Sequence, residues 1–90
     1  MSNQNLEGLK KLLLENEKWP LNYMFKFIAP NTDNKVNQVV ACLPVNGRIT
    51  YNHTKNLKHV AITCVADIDS AEQIIEITQK ALDIQGVIAL

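Results

Sequence analysis

Ninety residues set the scale of one domain with a modest core, and 47% hydrophobic against 20% charged residues is the balance of an ordinary globular chain, not a disordered or fibrous one. Nine basic residues offset nine acidic ones, so the whole-molecule attraction to polyanions that drives binding to nucleic acid or anionic membrane surfaces is absent. The Lys and Arg residues are scattered, no apolar stretch is long enough to span a bilayer, and the opening MSNQNLEGLKK does not read as a signal peptide; together these predict a cytoplasmic protein whose two thiols, Cys42 and Cys64, stay reduced.

Residues 5–18 place Leu6, Leu9 and Leu13 on one helical stripe, with Leu12 and Leu14 widening it. Trp19-Pro20 ends this helix, because the residue before a proline is pushed out of the α region. Tyr23 to Ile28 then alternates Tyr23, Phe25 and Phe27 with Met24, Lys26 and Ile28, the pattern of a strand. The segment Pro30-Asn31-Thr32-Asp33 breaks that strand and offers capping side chains to a helix carrying Val36, Val39, Val40 and Leu43 on one face, closed by Pro44 and Gly47.

Two further alternating runs, Arg48 to Thr54 and Lys58 to Ala66, flank a short turn and read as a hairpin. With Ile49, Tyr51, Val60, Ile62 and Cys64 facing the core, the expected register sets Tyr51 opposite Val60 and Ile49 opposite Ile62. A second helix starts at Asp69-Ser70, where Ser70 and Gln73 have capping-box spacing. It buries Ile74, Ile77, Ala81 and Leu82 and stops near Gly86. The closing run Val87 to Leu90 supplies a fourth strand.

The order helix, then β-α-β-β-α-β, predicts an α+β ferredoxin-like sandwich: a four-stranded antiparallel sheet with two helices on one face, residues 21–90, preceded by a helix and connector in residues 1–20. The other sheet face then carries Met24, Lys26, Ile28, Thr50, Asn52, His59, Ala61, Thr63 and Val65, a surface too apolar to be merely solvated. The N-terminal helix is the first candidate to cover it, and a second protomer or another protein the next.

Catalytic and metal-binding arrangements find little support. His53 and His59 fall on opposite faces of the hairpin, and no cysteine or carboxylate pair completes a tetrahedral set around them. Cys64 alternates with core residues, Cys42 borders the helix stripe, and Asp67 and Asp69 flank a helix start where acids favour the dipole. The three glycines are isolated, so no phosphate loop exists, and the APNTDN loop lacks the arginine and glycines of an acylphosphatase cradle. The third strand, KHVAITCV, holds none of the aromatics with which an RNA-recognition motif stacks bases. The chain therefore reads as non-enzymatic, needing no cofactor.

The segments WPLNYMFKFIAPN, NKVNQVVACL, RITYNHTKNLKHVAITCVADIDSAEQI and ALDIQGVIAL resemble the YbeD-like family of small bacterial proteins from Trp19 onward. That resemblance implies a fold similar to ACT-type regulatory domains, which bind small effectors between paired domains. Two expectations follow. One is a regulatory or interaction module acting through the open sheet face or an edge strand, as a homodimer or with a protein partner. The other is a sensor whose small metabolite is held by Asn31, Thr32, Asp33 and Asn34, although this loop lacks the glycine common in ACT domains.

Overall fold

The computed structural model describes residues 6–15, 18–53 and 57–90. Within them lie α1 (Leu6–Leu14), β1 (Leu21–Pro30), α2 (Asp33–Cys42), β2 (Arg48–His53), β3 (His59–Ile68), α3 (Ala71–Leu82) and β4 (Ile88–Ala89). The strands form one antiparallel sheet in the order β2-β3-β1-β4, the ferredoxin-like arrangement expected from the element order.

Alternation decides which face each strand buries. On β1, Phe25, Phe27 and Ala29 are buried while Met24 and Lys26 are exposed, and on β3 Val60, Ile62, Cys64, Ala66 and Ile68 are buried in strict alternation. These side chains meet Val39 and Leu43 at α2 and Ala71, Ile74 and Ala81 on α3 in one core cluster. Tyr23 packs edge-on to Phe25 with ring centroids 4.8 Å apart, and Phe25 stacks on Phe27 at 6.4 Å.

The helix starts follow local chemistry. Thr32 caps α2, its Oγ1 accepting from the Lys35 amide at 3.3 Å. Ser70 caps α3 in the same way through the Gln73 amide at 3.3 Å, and Gln73 Oε1 accepts from the Asp69 amide at 3.0 Å. The return bond of this box thus reaches one residue before the cap. After α3, Gly86 takes a left-handed φ of 88° that lets the chain double back into β4 against Pro30.

Several sequence expectations are corrected. Among the described residues the α1 helix covers Leu6–Leu14, short of the expected 5–18; residues 5, 16 and 17 of that span and the hairpin turn at Thr54 to Asn56 lie outside the described residues. Leu12 and Leu14 do not widen the stripe but are 68% and 55% exposed, since a helix buries one narrow face and theirs points away from Leu9 and Leu13. On α3 the deepest line is Ala71, Ile74, Thr78 and Ala81, leaving Ile77 and Leu82 half-buried at its margins.

The hairpin register is shifted by two residues: Tyr51 pairs with Ile62, Ile49 with Cys64, and His53 with Val60. A shift of two preserves every facing, so the assignment of faces stands although the partners change. Finally, α1 does not cover the open sheet face. It packs against α3 and adds Leu13 to the core, so it extends the helical layer.

Candidate functional site: the open sheet face

With all three helices accounted for, no described element lies over the opposite face of the sheet. The pairings place its side chains in rows across β2, β3, β1 and β4. Arg48, Val65 and Met24 form one row, Thr50, Thr63 and Lys26 the next, and Asn52, Ala61, Ile28 and Ile88 a third. His59 stands beside Pro30 at one end, while at the other Asn22 Nδ2 donates to Asp67 Oδ1 at 3.0 Å. All nine residues expected on this face from alternation are on it.

The face divides into two halves. Its β2 side is polar, through Arg48, Thr50 and Asn52, whereas its β1–β4 side joins Met24, Ile28, Ile88 and Leu90. Met24 is 59% exposed, Ile88 52% and Leu90 71%. Such clustering, unlike scattered surface leucines, is the signature of a surface that meets something else. Lys26 stands within this half. Sequence reasoning missed Ile88 and Leu90, although the alternation of VIAL carried the signal: Ala89 faces the core beside Phe27, so its neighbours face out.

The loop residues Asn31, Thr32, Asp33 and Asn34 gather at the far end of β1, and three of them serve the fold. Asn31 Nδ2 donates to Leu57 O at 2.9 Å, Thr32 caps α2, and Asn34 Oδ1 accepts from Gln38 Nε2 at 3.3 Å. Asp33 opens the first turn of α2, where its charge suits the helix dipole. His53 and His59 are exposed on opposite sides of the hairpin. Among the described residues there is no group of three His, Cys, Asp or Glu placed to hold a metal ion.

Both cysteines are free thiols. Burial pushes the Cys42 thiol up, with Lys80 pulling it down and Asp83 raising it further, and its S–H donates to Gln38 O at 3.3 Å. Cys64 is wholly buried, and burial raises its pKa as well. Thiolate is the reactive form, so at neutral pH both groups are held in the unreactive one. With an aromatic disulfide reagent, native protein is expected to release about one equivalent slowly, from Cys42, and the second, from Cys64, only on unfolding. The slow phase should accelerate as pH rises above the ordinary thiol value of 9.0.

Compared with protein-family models, curated proteins and solved structures, the chain matches none of them.

Proposed function

We propose that this protein is a non-enzymatic interaction module of the regulatory kind, and that it associates with a second copy of itself through the open sheet face. The observation carrying this reading is the uncovered β1–β4 half of the sheet, where Met24, Ile88 and Leu90 are each more than half exposed in one cluster. A thiol chemistry is opposed by the raised pKa values of both cysteines.

The size of the face fits this role. Strands of ten, ten, six and two residues, at about 3.3 Å per residue and about 4.8 Å apart, cover roughly 450 Å² in projection. A side-chain-covered surface exposes more area than its projection, which brings the face within reach of the roughly 800 Å² per partner of a standard interface. Two sheets stacked face to face at about 10 Å would bury Met24, Ile28 and Ile88, with Arg48, Asn52 and His59 forming a wet rim.

A second positive charge at the centre of such a contact must be desolvated beside Lys26, which stands on the same half of the face. Ile88→Lys is therefore expected to weaken self-association by at least about tenfold, while costing little stability because Ile88 is 52% exposed in the single chain. Sedimentation velocity of the variant beside the parent chain measures this; equal association of the two would remove the open face from the interface.

A further inference from the structure

The turn that joins α2 to β2 carries a bond-forming chemistry of its own. Of the asparagines in the chain, Asn46 alone is followed by a glycine. A side-chain amide reacts with the next residue's main-chain nitrogen only where that nitrogen can swing onto it. A Cβ on the following residue obstructs the approach, and Gly47 has none.

The structure leaves Asn46 exposed, in a turn that the Gly47 amide closes by donating to Pro44 O at 3.1 Å. Asn46 Nδ2 donates to Asp67 O at 3.4 Å, a long hydrogen bond. An open cavity of about 600 Å³ borders Asn46, Gly47, Arg48 and Asp67, so water reaches the amide.

We propose that Asn46-Gly47 is a site of spontaneous covalent modification, the conversion of Asn46 to aspartyl and isoaspartyl forms. Local opening of the turn releases both hydrogen bonds while the strand ladders stay intact. The Gly47 nitrogen, having given its proton to solvent, attacks Asn46 Cγ. The N–Cγ bond forms, the Cγ–Nδ2 bond breaks, and Nδ2 takes up a proton and leaves as ammonia, closing a cyclic imide. Water then opens the ring. Breaking the new N–Cγ bond gives aspartate; breaking the original peptide bond gives isoaspartate, whose main chain runs through Cβ and Cγ. The sum is asparagine and water giving an acid and ammonia, with no oxidant or cofactor.

The fold separates the two products. Aspartate keeps the chain length and gives up the bond to Asp67 O. Isoaspartate adds a methylene to the main chain immediately before Gly47, where even a Cβ would run into the Sγ of the wholly buried Cys64. The lengthened turn lifts Gly47 off β3, so the age of a molecule becomes readable as lost stability. The proposal goes beyond the self-association reading and rests on other residues.

The test ages the full native chain at mildly alkaline pH, where the deprotonated amide is more abundant, and follows the tryptic fragment Val36–Arg48 by mass spectrometry. Asn46 is expected to exchange NH₂ for OH at least about tenfold faster than Asn37, exposed on α2 in the same fragment but followed by glutamine. Aged protein should show a second melting step at least about 5 °C below the parent. Freshly prepared Asn46→Asp, which makes the aspartyl product alone, should lack that step, and so should Asn46→Gln aged in parallel.

Conversion of Asn46 no faster than that of Asn37 would overturn the proposal, as would an aged chain that melts like Asn46→Asp. Neither result touches the self-association reading, which is decided by the mass of the fresh protein.

Discussion

Replacing Phe27 with alanine is expected to destabilise the fold by about 4 kcal/mol, the range for deleting a fully buried aromatic ring. Phe27 is 1% exposed, pairs with Ile62 on one side and Ala89 on the other, and stacks on Phe25. It therefore ties the central strand pair, the short β4 and the helical layer together. For a domain of this size the total stability is only about 5–15 kcal/mol, so urea denaturation should show the midpoint falling by about a quarter or more. Met24→Ala, three residues along the same strand but 59% exposed, should change stability by less than about 1 kcal/mol. Equal costs at the two positions would mean that the core lies on the wrong side of the sheet.

Gly47→Ala is expected to cost about 3 kcal/mol, at the upper end of overpacking effects. A Cβ at this position would run into the Sγ of Cys64, with Pro44 O 3.1 Å and Ala66 Cβ 3.6 Å away. Cys64 is 0% exposed in the middle of β3 and cannot swing aside, so the α2–β2 loop would have to lift off the sheet and give up the Gly47 amide bond to Pro44 O. Removing the obstructing sulfur should relieve the clash. Gly47→Ala combined with Cys64→Ala should be at least about 1 kcal/mol more stable than the sum of the single effects predicts, because contacting sites are not additive. A double-mutant cycle by chemical denaturation measures that coupling, and strict additivity would show that Gly47 does not sit against Cys64.

The faces of the sheet were legible in the sequence because side-chain direction has a period of two. Tyr23, Phe25 and Phe27 against Met24, Lys26 and Ile28 leave a single consistent assignment, and the same holds for Val60, Ile62 and Cys64. The register was less legible. Alternation fixes the parity of a pairing and is blind to a shift of two, so Tyr51 lies on the expected side of the sheet, where it is 52% exposed at the edge strand and not part of the core, and meets Ile62 instead of Val60. Capping of α3 by Ser70 was legible from its spacing to Gln73, because the bond is local and needs no tertiary information.

The docking side of α1 was not legible. An amphipathic stripe says that Leu6, Leu9 and Leu13 will be covered, but an apolar helix face fits either side of a small sheet, and contact with α3 decides the matter only in three dimensions. The role of the 31–34 loop was hidden for a related reason. Asn, Thr and Asp serve as caps and as ligand contacts through the same oxygen and amide groups, and the bonds of Asn31 to Leu57 and of Asn34 to Gln38 emerge only with the fold. Recognising the open face in turn required knowing that α1 is elsewhere.

The central claim is that the open sheet face is an interface between two copies of this chain. Sedimentation equilibrium of the unaltered protein from about 5 to about 500 µM, the span in which a weak dimer of this interface size dissociates, tests it most directly. The weight-average mass is predicted to climb from 10.1 kDa toward twice that value. A mass that stays at 10.1 kDa over the whole range would contradict the claim.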